Sequence, residues 1–282
     1  MVETHPYNLI WIRPAEGRKR RGMFVRFWIT ILILPALLVI GGAARAGTTA
    51  CADVTFQGSS FTICQYDTRK VRMIRTYLYG ENGKPYGTFK RLETAIKAQD
   101  ETLLFATNGG MYHDDRSAVG LYIENGRELQ SLNTNKGPGN FHMLPNGLFV
   151  IWQENGSWGA HILTANDYKN KMAKDVVAYA TQSGPMLVID GKLHPKFRMS
   201  STSNNIRNGV GVKGDIVYFA ISNERVNFHT FASLFKDHLK VNNALYLDGV
   251  VSKMYAPELG RHDKGRLMGP MIAVTREGGC DE

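Results

Sequence analysis

Beyond residue 50 the apolar residues come in short runs, many of them alternating with polar positions, and Gly, Asn, Asp or Pro separates one run from the next. That pattern predicts strands joined by tight turns. Val54–Tyr66 and Val71–Tyr79 are strand-like, as are Thr102–Ala106, Val119–Glu124, Leu148–Trp152, Gly159–Leu163, Val176–Ala180 and Met186–Ile189. Asn208–Val212 and Ile216–Ser222 read as a hairpin about Lys213-Gly214-Asp215, and Ala244–Leu247 and Met271–Val274 as closing strands. Turns are expected at Asn125-Gly126, Pro145-Asn146-Gly147, Asn155-Gly156 and Asp190-Gly191. Helical periodicity is confined to two places. Phe89, Leu92, Ala95 and Ile96 share one face behind Gly87-Thr88, and Phe231, Leu234, Phe235 and Leu239 form a stripe starting near Thr230. The expected class is α+β: a single strand-rich domain, its mixed sheet layered with two or three helices.

The amino terminus follows a different pattern. Arg18, Lys19, Arg20, Arg21 and Arg26 precede an apolar run, Phe27–Ile40, and Ala44-Arg45-Ala46 has the form of a signal-peptidase site. A run of 14 residues is too short to span a bilayer, for which about 20 are needed. Residues 1–46 are therefore expected to be a signal peptide, with Met23 a possible true start. Residues 47–101 then supply the first strands and helix, 102–276 the domain core, and 277–282 a tail. The expected location is periplasmic or secreted, with membrane contact only during export.

Removing the leader changes the charge argument. The whole chain has 34 basic and 25 acidic residues, and the leader holds seven and two of them, which leaves 27 against 23, a net of +4. Such a balance gives no support to nucleic-acid binding. The three cysteines are Cys51, Cys64 and Cys280. In an oxidising compartment Cys64 can pair with Cys51 across a short hairpin or with Cys280 near the end, and the sequence leaves both open.

Candidate chemistry lies where apolar runs end in small polar residues: Ala106–Asp115, Thr181–Gly191 and Asn243–Tyr255. Asn108-Gly109-Gly110-Met111-Tyr112, Val119-Gly120-Leu121-Tyr122, Gly139-Asn140-Phe141, Gln182-Ser183-Gly184-Pro185-Met186-Leu187, Arg207-Asn208-Gly209-Val210-Gly211 and Leu247-Asp248-Gly249 with Ser252 occur in that order. The ordered set resembles the phosphodiester glycosidase domain family across roughly Leu103 to Val274. That family includes the lysosomal uncovering enzyme, which removes N-acetylglucosamine from a sugar-phosphate-sugar diester, and bacterial exopolysaccharide-associated relatives. Val250 and Val251 stand where the family commonly has further glycine.

The resemblance implies an exported hydrolase acting on a sugar-1-phosphodiester or related envelope glycan. A phosphate monoester leaves without the full acid assistance an ordinary glycoside needs, so one carboxylate and a cluster of donors for phosphate suffice. Asp248, between a strand and Gly249, is the expected catalytic carboxylate; Arg207 is the phosphate ligand, since a guanidinium meets phosphate with paired donors. Glu224 is a second carboxylate available as general base. Asn108, Gly109, Gly110, Ser183, Gly184, Ser252 and Lys253 are the expected substrate-binding residues. Ser183 lacks the G-x-S-x-G surroundings of a hydrolase nucleophile. His113-Asp114-Asp115 and His262-Asp263 lack metal-site spacing, so no metal and no cofactor is expected. Trp152, Trp158, Phe141 and Tyr112 are candidate sugar-stacking rings. The alternatives are a noncatalytic envelope-glycan binding or assembly protein on the same scaffold, and a metal-dependent phosphodiesterase cutting the P–O bond.

Overall fold

The computed structural model describes residues 50–70, 73–249 and 251–278. The leader with Met23, Cys280 and Val250 lie outside the described residues.

Three antiparallel sheets account for the described strands. The first runs, edge to edge, Cys51–Phe56, Ser59–Asp67, Ile216–Ser222, Asn208–Lys213, Asn243–Tyr246, Met186–Ile189 and Lys192–Leu193. The second orders Arg261–His262, Met254–Ala256, Glu101–Asn108, Met271–Glu277 and Met73–Tyr77. Arg127–Gln130, Tyr122–Glu124, Val177–Ser183, Gly147–Glu154 and Ser157–Thr164 make the third. The expected mixed sheet is thus replaced by antiparallel pairing throughout the described strands. The fold is strand-rich as expected, mostly β with a few short helices and without a clear α+β layering. The physical reason is turn chemistry: two-residue turns, which return a strand beside its predecessor, close many of the connections. Gln57-Gly58, Asn125-Gly126, Asn155-Gly156 and Asp190-Gly191 each put both residues at positive φ, the twist that suits a two-residue hairpin. Pro145-Asn146-Gly147 is no hairpin turn, for Gly147 opens a strand.

The inner faces of all three sheets meet in one core. Phe219 of the first sheet stacks on Phe105 of the second with centroids 4.8 Å apart, and meets Phe149 of the third edge-on at 5.8 Å. Each outer face carries one short helix. Phe89–Ala98, capped by the Thr88 side chain, lays Phe89, Leu92 and Ile96 on the second sheet. Ala165–Lys171, missed by periodicity because it is only seven residues long, covers the third with Ala165 and Tyr168. Phe228–Ser233, continuing as a π-turn over Leu234–His238, covers the first with Phe231, Leu234 and Phe235. Burial on both faces explains runs such as Leu148-Phe149-Val150-Ile151. Leu148 and Val150 face the helix, whereas Phe149 and Ile151 face the common core.

Cys51 and Cys64 are directly opposed in the first hairpin and form a disulfide. Of the two pairings open in the sequence, this is the one formed. Among the described residues no helix is long and apolar enough to cross a membrane.

Candidate functional site

The loop that follows Tyr246 carries the chain from the first sheet to the second. Three strand ends converge there: Asn108, Asn208 and Tyr246. Asn108, wholly buried, donates from Nδ2 to Asp248 O at 2.9 Å, and its Oδ1 accepts from Lys253 N at 2.8 Å and Asn208 Nδ2 at 3.0 Å. Asn208 Nδ2 also reaches Thr107 Oγ1 at 3.0 Å, and Thr107 donates to Lys253 O at 2.9 Å. Ser252 Oγ lies 3.0 Å from Asn208 Oδ1 and 3.1 Å from Ile206 O. The Asp248–Lys253 loop is therefore held from below by side-chain amides at both of its ends. Buried amides that satisfy one another in this way fix one loop geometry, because any slip strands polar atoms away from water.

The glycines beside Asn108 serve close approach. Gly109 N donates to Pro270 O at 2.7 Å, and Gly109 O accepts from Asp248 N at 3.2 Å. Gly110 N donates to Thr181 Oγ1 at 3.0 Å, and a Cβ on Gly110 would stand 2.0 Å from Gln182 O. Neither is at positive φ. Their N–H groups, and the amide of Asn108, bind protein and hold the loop, leaving none of them facing a ligand.

Arg207 is similarly enclosed, with 1% of its surface exposed. Nε donates to Val226 O at 2.8 Å, Nη2 to Ser203 O at 2.8 Å and Nη1 to Tyr246 Oη at 3.3 Å. Its guanidinium lies 3.6 Å from the Phe228 ring centroid. Burial lowers its pKa, with Tyr246 opposing. The sequence placed Arg207 on the phosphate; the structure places it behind Tyr246. An arginine only donates, so Tyr246 Oη accepts from it and keeps its own proton to give elsewhere. That hydroxyl presses against Gly249, where a Cβ would fall 1.4 Å from it. Burial above all raises Tyr246 to about 12, with the Arg207 charge opposing and the Asp248 carboxylate adding to it, so the phenol stays protonated at neutral pH.

Above this floor opens a cleft of about 680 Å³. Tyr246, Gly249, Val251, Ser252 and Lys253 line its base, with Asn140, Asn205, Ser222 and Asn223 around it. Arg225, Arg261, Lys264 and Arg266 complete the wall together with one acid, Asp263. Asp248 adjoins the base through Gly249 and is 7% exposed. Its charge also raises Tyr112, which desolvation above all brings to about 12, while Arg116 and Arg266 act in the opposite direction. Lys253, 7% exposed, donates from Nζ to Arg266 O; burial lowers its pKa and Asp263 partly restores it. Arg261 binds Asp263 Oδ2 through Nε and Nη2, both at 3.1 Å, and reaches Thr62 and Asn223 with Nη1.

The other expected residues fall outside the cleft lining. Glu224 is exposed, and its Oε1 accepts from Ser60 N at 2.9 Å. Ser183 is buried opposite Gly147 with no partner for its hydroxyl, and Gly184 lies beneath Phe141 O and Asn140 O, so the pair supports the loop that presents Asn140. His113, Asp114 and Asp115 are exposed on a hairpin, and His262 packs edge-on against Tyr255. Among the described residues no three His, Cys, Asp or Glu side chains converge as a metal site would require. Trp152 stacks on His161, Trp158 packs against the common core, and Phe141 is buried. Tyr112 alone of the four rings stands near Asp248. Tyr246, Arg225, Arg261, Lys264 and Arg266 were not anticipated. The one sequence signal was the density of cations in Arg261-His262-Asp263-Lys264-Gly265-Arg266.

Among solved structures, the zebrafish N-acetylglucosamine-1-phosphodiester alpha-N-acetylglucosaminidase catalytic domain, auto-inhibited by its pro-peptide, is similar at TM-score 0.53. The likeness has 16% identity over 79% of this chain and 81% of that one. A hypothetical protein from Synechocystis gives 0.51 at 12% identity, over 80% of this chain and 61% of that one. At such identities the likeness establishes fold. The uncharacterized protein YigE of Escherichia coli K12 is 33% identical over 231 residues, 82% of this chain and 84% of its own length. Residues 101–275 match the phosphodiester glycosidase family model, with Asn108, Arg207, Asn208 and Asp248 inside the match, and the chain belongs to that family.

Proposed function

We propose that the protein is an exported hydrolase that releases a sugar from a sugar-1-phosphodiester of the cell envelope. One observation carries the reading: the buried Asp248 adjoins the base of a cation-walled cleft through Gly249, on a loop whose backbone Asn108 holds in place. The family supports a hydrolase, and the name of the zebrafish relative specifies a sugar-1-phosphodiester for that protein. Export is supported by the leader pattern in residues 1–46 and by the Cys51–Cys64 disulfide, a bond that persists in oxidising compartments.

In this reading Lys253, Lys264 and Arg266 hold the phosphate, and Tyr246, backed by Arg207, donates to an oxygen of the substrate. Asp248 orients water and offsets the positive charge that grows on the anomeric carbon. The water oxygen bonds to that carbon while the carbon–oxygen bond to phosphate breaks. Its electron pair leaves with the phosphate monoester, and the proton of the attacking water passes to Asp248 and on to solvent.

The test uses an activated N-acetylglucosaminyl phosphodiester in ¹⁸O-labelled water. The expected products are labelled free sugar and unlabelled phosphate monoester. Asp248→Asn should lower kcat by about a thousandfold, with thermal unfolding unchanged. Full activity in that variant would remove Asp248 from the mechanism. Release of sugar phosphate would instead support P–O cleavage, and binding of polysaccharide without turnover would support a noncatalytic glycan-binding protein.

A further inference from the structure

The cleft is more cationic than one phosphodiester requires. Its lining holds Arg225, Lys253, Arg261, Lys264 and Arg266 against Asp263, a net of +4; adding Asp248 makes it +3. The entire chain from Gly47 onward carries only +4. The remaining surface is therefore close to neutral, and the excess charge is gathered at one concave place. Low-dielectric walls focus such a field into the cleft.

The cations also form two groups. Lys253 and Arg266 belong to the side of Asp248 and Tyr112: Lys253 Nζ donates to Arg266 O, and Arg266 acts on Tyr112. Arg225 forms the second group, next to the Asn205–Val226 bridge. Its Nη1 reaches Asn204 O at 3.4 Å, it is exposed, and Asn205 and Asn223 stand beside it in the lining. Arg261 reaches Asn223 at 2.6 Å and Asp263 at 3.1 Å, and so joins the groups while neutralising its own charge. The strand Ile216–Ser222 delivers Asn223 and Arg225 to this end, and Asn205 pairs with Val226 across it.

We propose that this second group is an anion station for the aglycone: the natural substrate carries a further anionic group, a phosphate or a uronate carboxylate, beyond the phosphodiester that is cut. The substrate class is then an anionic glycan with charge on successive units, as opposed to a lone sugar diester on a neutral carrier. Asn205 and Asn223 supply hydrogen bonds to the connecting sugar, and Arg225 supplies paired donors to the second anion. The proposal rests on the sugar-1-phosphodiester reading for its catalytic end, but the station itself is a binding claim.

Three synthetic ligands test it with the purified protein: an N-acetylglucosaminyl phosphodiester of a neutral hexose, the same compound with a second phosphodiester on that hexose, and the same with a uronate in its place. Calorimetry on Asp248→Asn reads binding, and kcat/KM on the wild type reads turnover. At low salt the doubly anionic ligands should bind about tenfold tighter than the singly anionic one, and the gap should shrink as salt screens it. Arg225→Ala should remove that gap and Arg225→Lys should keep part of it. A gap for phosphate alone identifies a sugar-phosphate polymer, and a gap for uronate alone an acidic polysaccharide. No gap in the wild type, or an equal loss on all three ligands in Arg225→Ala, would overturn the station. Absence of turnover with a persistent gap in binding would overturn the hydrolytic reading and leave the station standing.

Discussion

The floor of the cleft and its rim are built on opposite principles. On the floor, Asn108, Asn208, Arg207 and the Gly109-Gly110 backbone bind other protein groups through strong, directional contacts. On the rim, Lys264 and Arg266 are exposed, and Arg225 makes one long contact at 3.4 Å. A buried polar atom must be satisfied inside the protein, so residue type and position on the floor are tightly determined. An exposed cation has water as an alternative partner, and many positions serve equally. The floor therefore governs whether the Asp248 loop exists in one form, and the rim governs what is drawn to it.

The largest effect should come from the floor. Arg207→Met retains an unbranched stem against Phe228 but leaves Ser203 O without its donor, while Val226 O keeps the N–H of Asn205. Since the lost partners, two carbonyls and the Tyr246 hydroxyl, are neutral, no buried carboxylate is stranded, and the main cost is that of one unpaired acceptor, Ser203 O. The expected loss is about 1–3 kcal/mol in urea unfolding, with activity lost through Tyr246. A change below about 0.5 kcal/mol would mean that water replaces the guanidinium, and the contrast between floor and rim would collapse.

This division also explains what could be read from the sequence. Strands and hairpins were legible because period-two burial and Asn-Gly or Asp-Gly turns are local properties. Antiparallel pairing across the whole fold was not, since it depends on which strands meet. Asn108-Gly109-Gly110 and Asp248-Gly249 stood out because close backbone approach admits only small residues. Arg207 stood out too, yet its direction did not: a guanidinium facing a ligand and one facing two carbonyls and a ring look alike in sequence. Tyr246 read as an ordinary strand residue, because its role arises from Arg207 and Gly249, distant or adjacent groups that only folding or a turn places around its hydroxyl. Arg225 belonged to no motif. Its place in the cleft comes from the Asn205–Val226 bridge, which no spacing announces.

A rim pair should behave differently. Lys264→Ala with Arg266→Ala removes two exposed cations while preserving the backbone carbonyl that accepts from Lys253. Stability should change by no more than about 0.5 kcal/mol. KM for a sugar phosphodiester should rise about tenfold at low salt with kcat nearly unchanged, and the difference should fade near physiological ionic strength. A cooperative loss of folding in this variant would show that the rim is structural as well.

Lys253 lies at the boundary between the two regions and gives the finest test. Its backbone N–H and C=O belong to the floor, bound to Asn108 and Thr107, whereas its side chain lines the cleft. Burial holds its pKa below 10.5, despite the opposing charge of Asp263. Only the protonated amine attracts phosphate, so kcat/KM should fall as pH rises through this lowered value. Stability should move the other way. Between the folded value and 10.5 the unfolded chain binds the proton more tightly, so raising pH through that window favours the folded state. Lys253→Arg keeps the charge and should move the alkaline limb of activity to higher pH, while Lys264→Ala should leave its position unchanged. If Lys253→Arg retains the wild-type limb, the titrating group is elsewhere and Lys253 belongs to the floor alone.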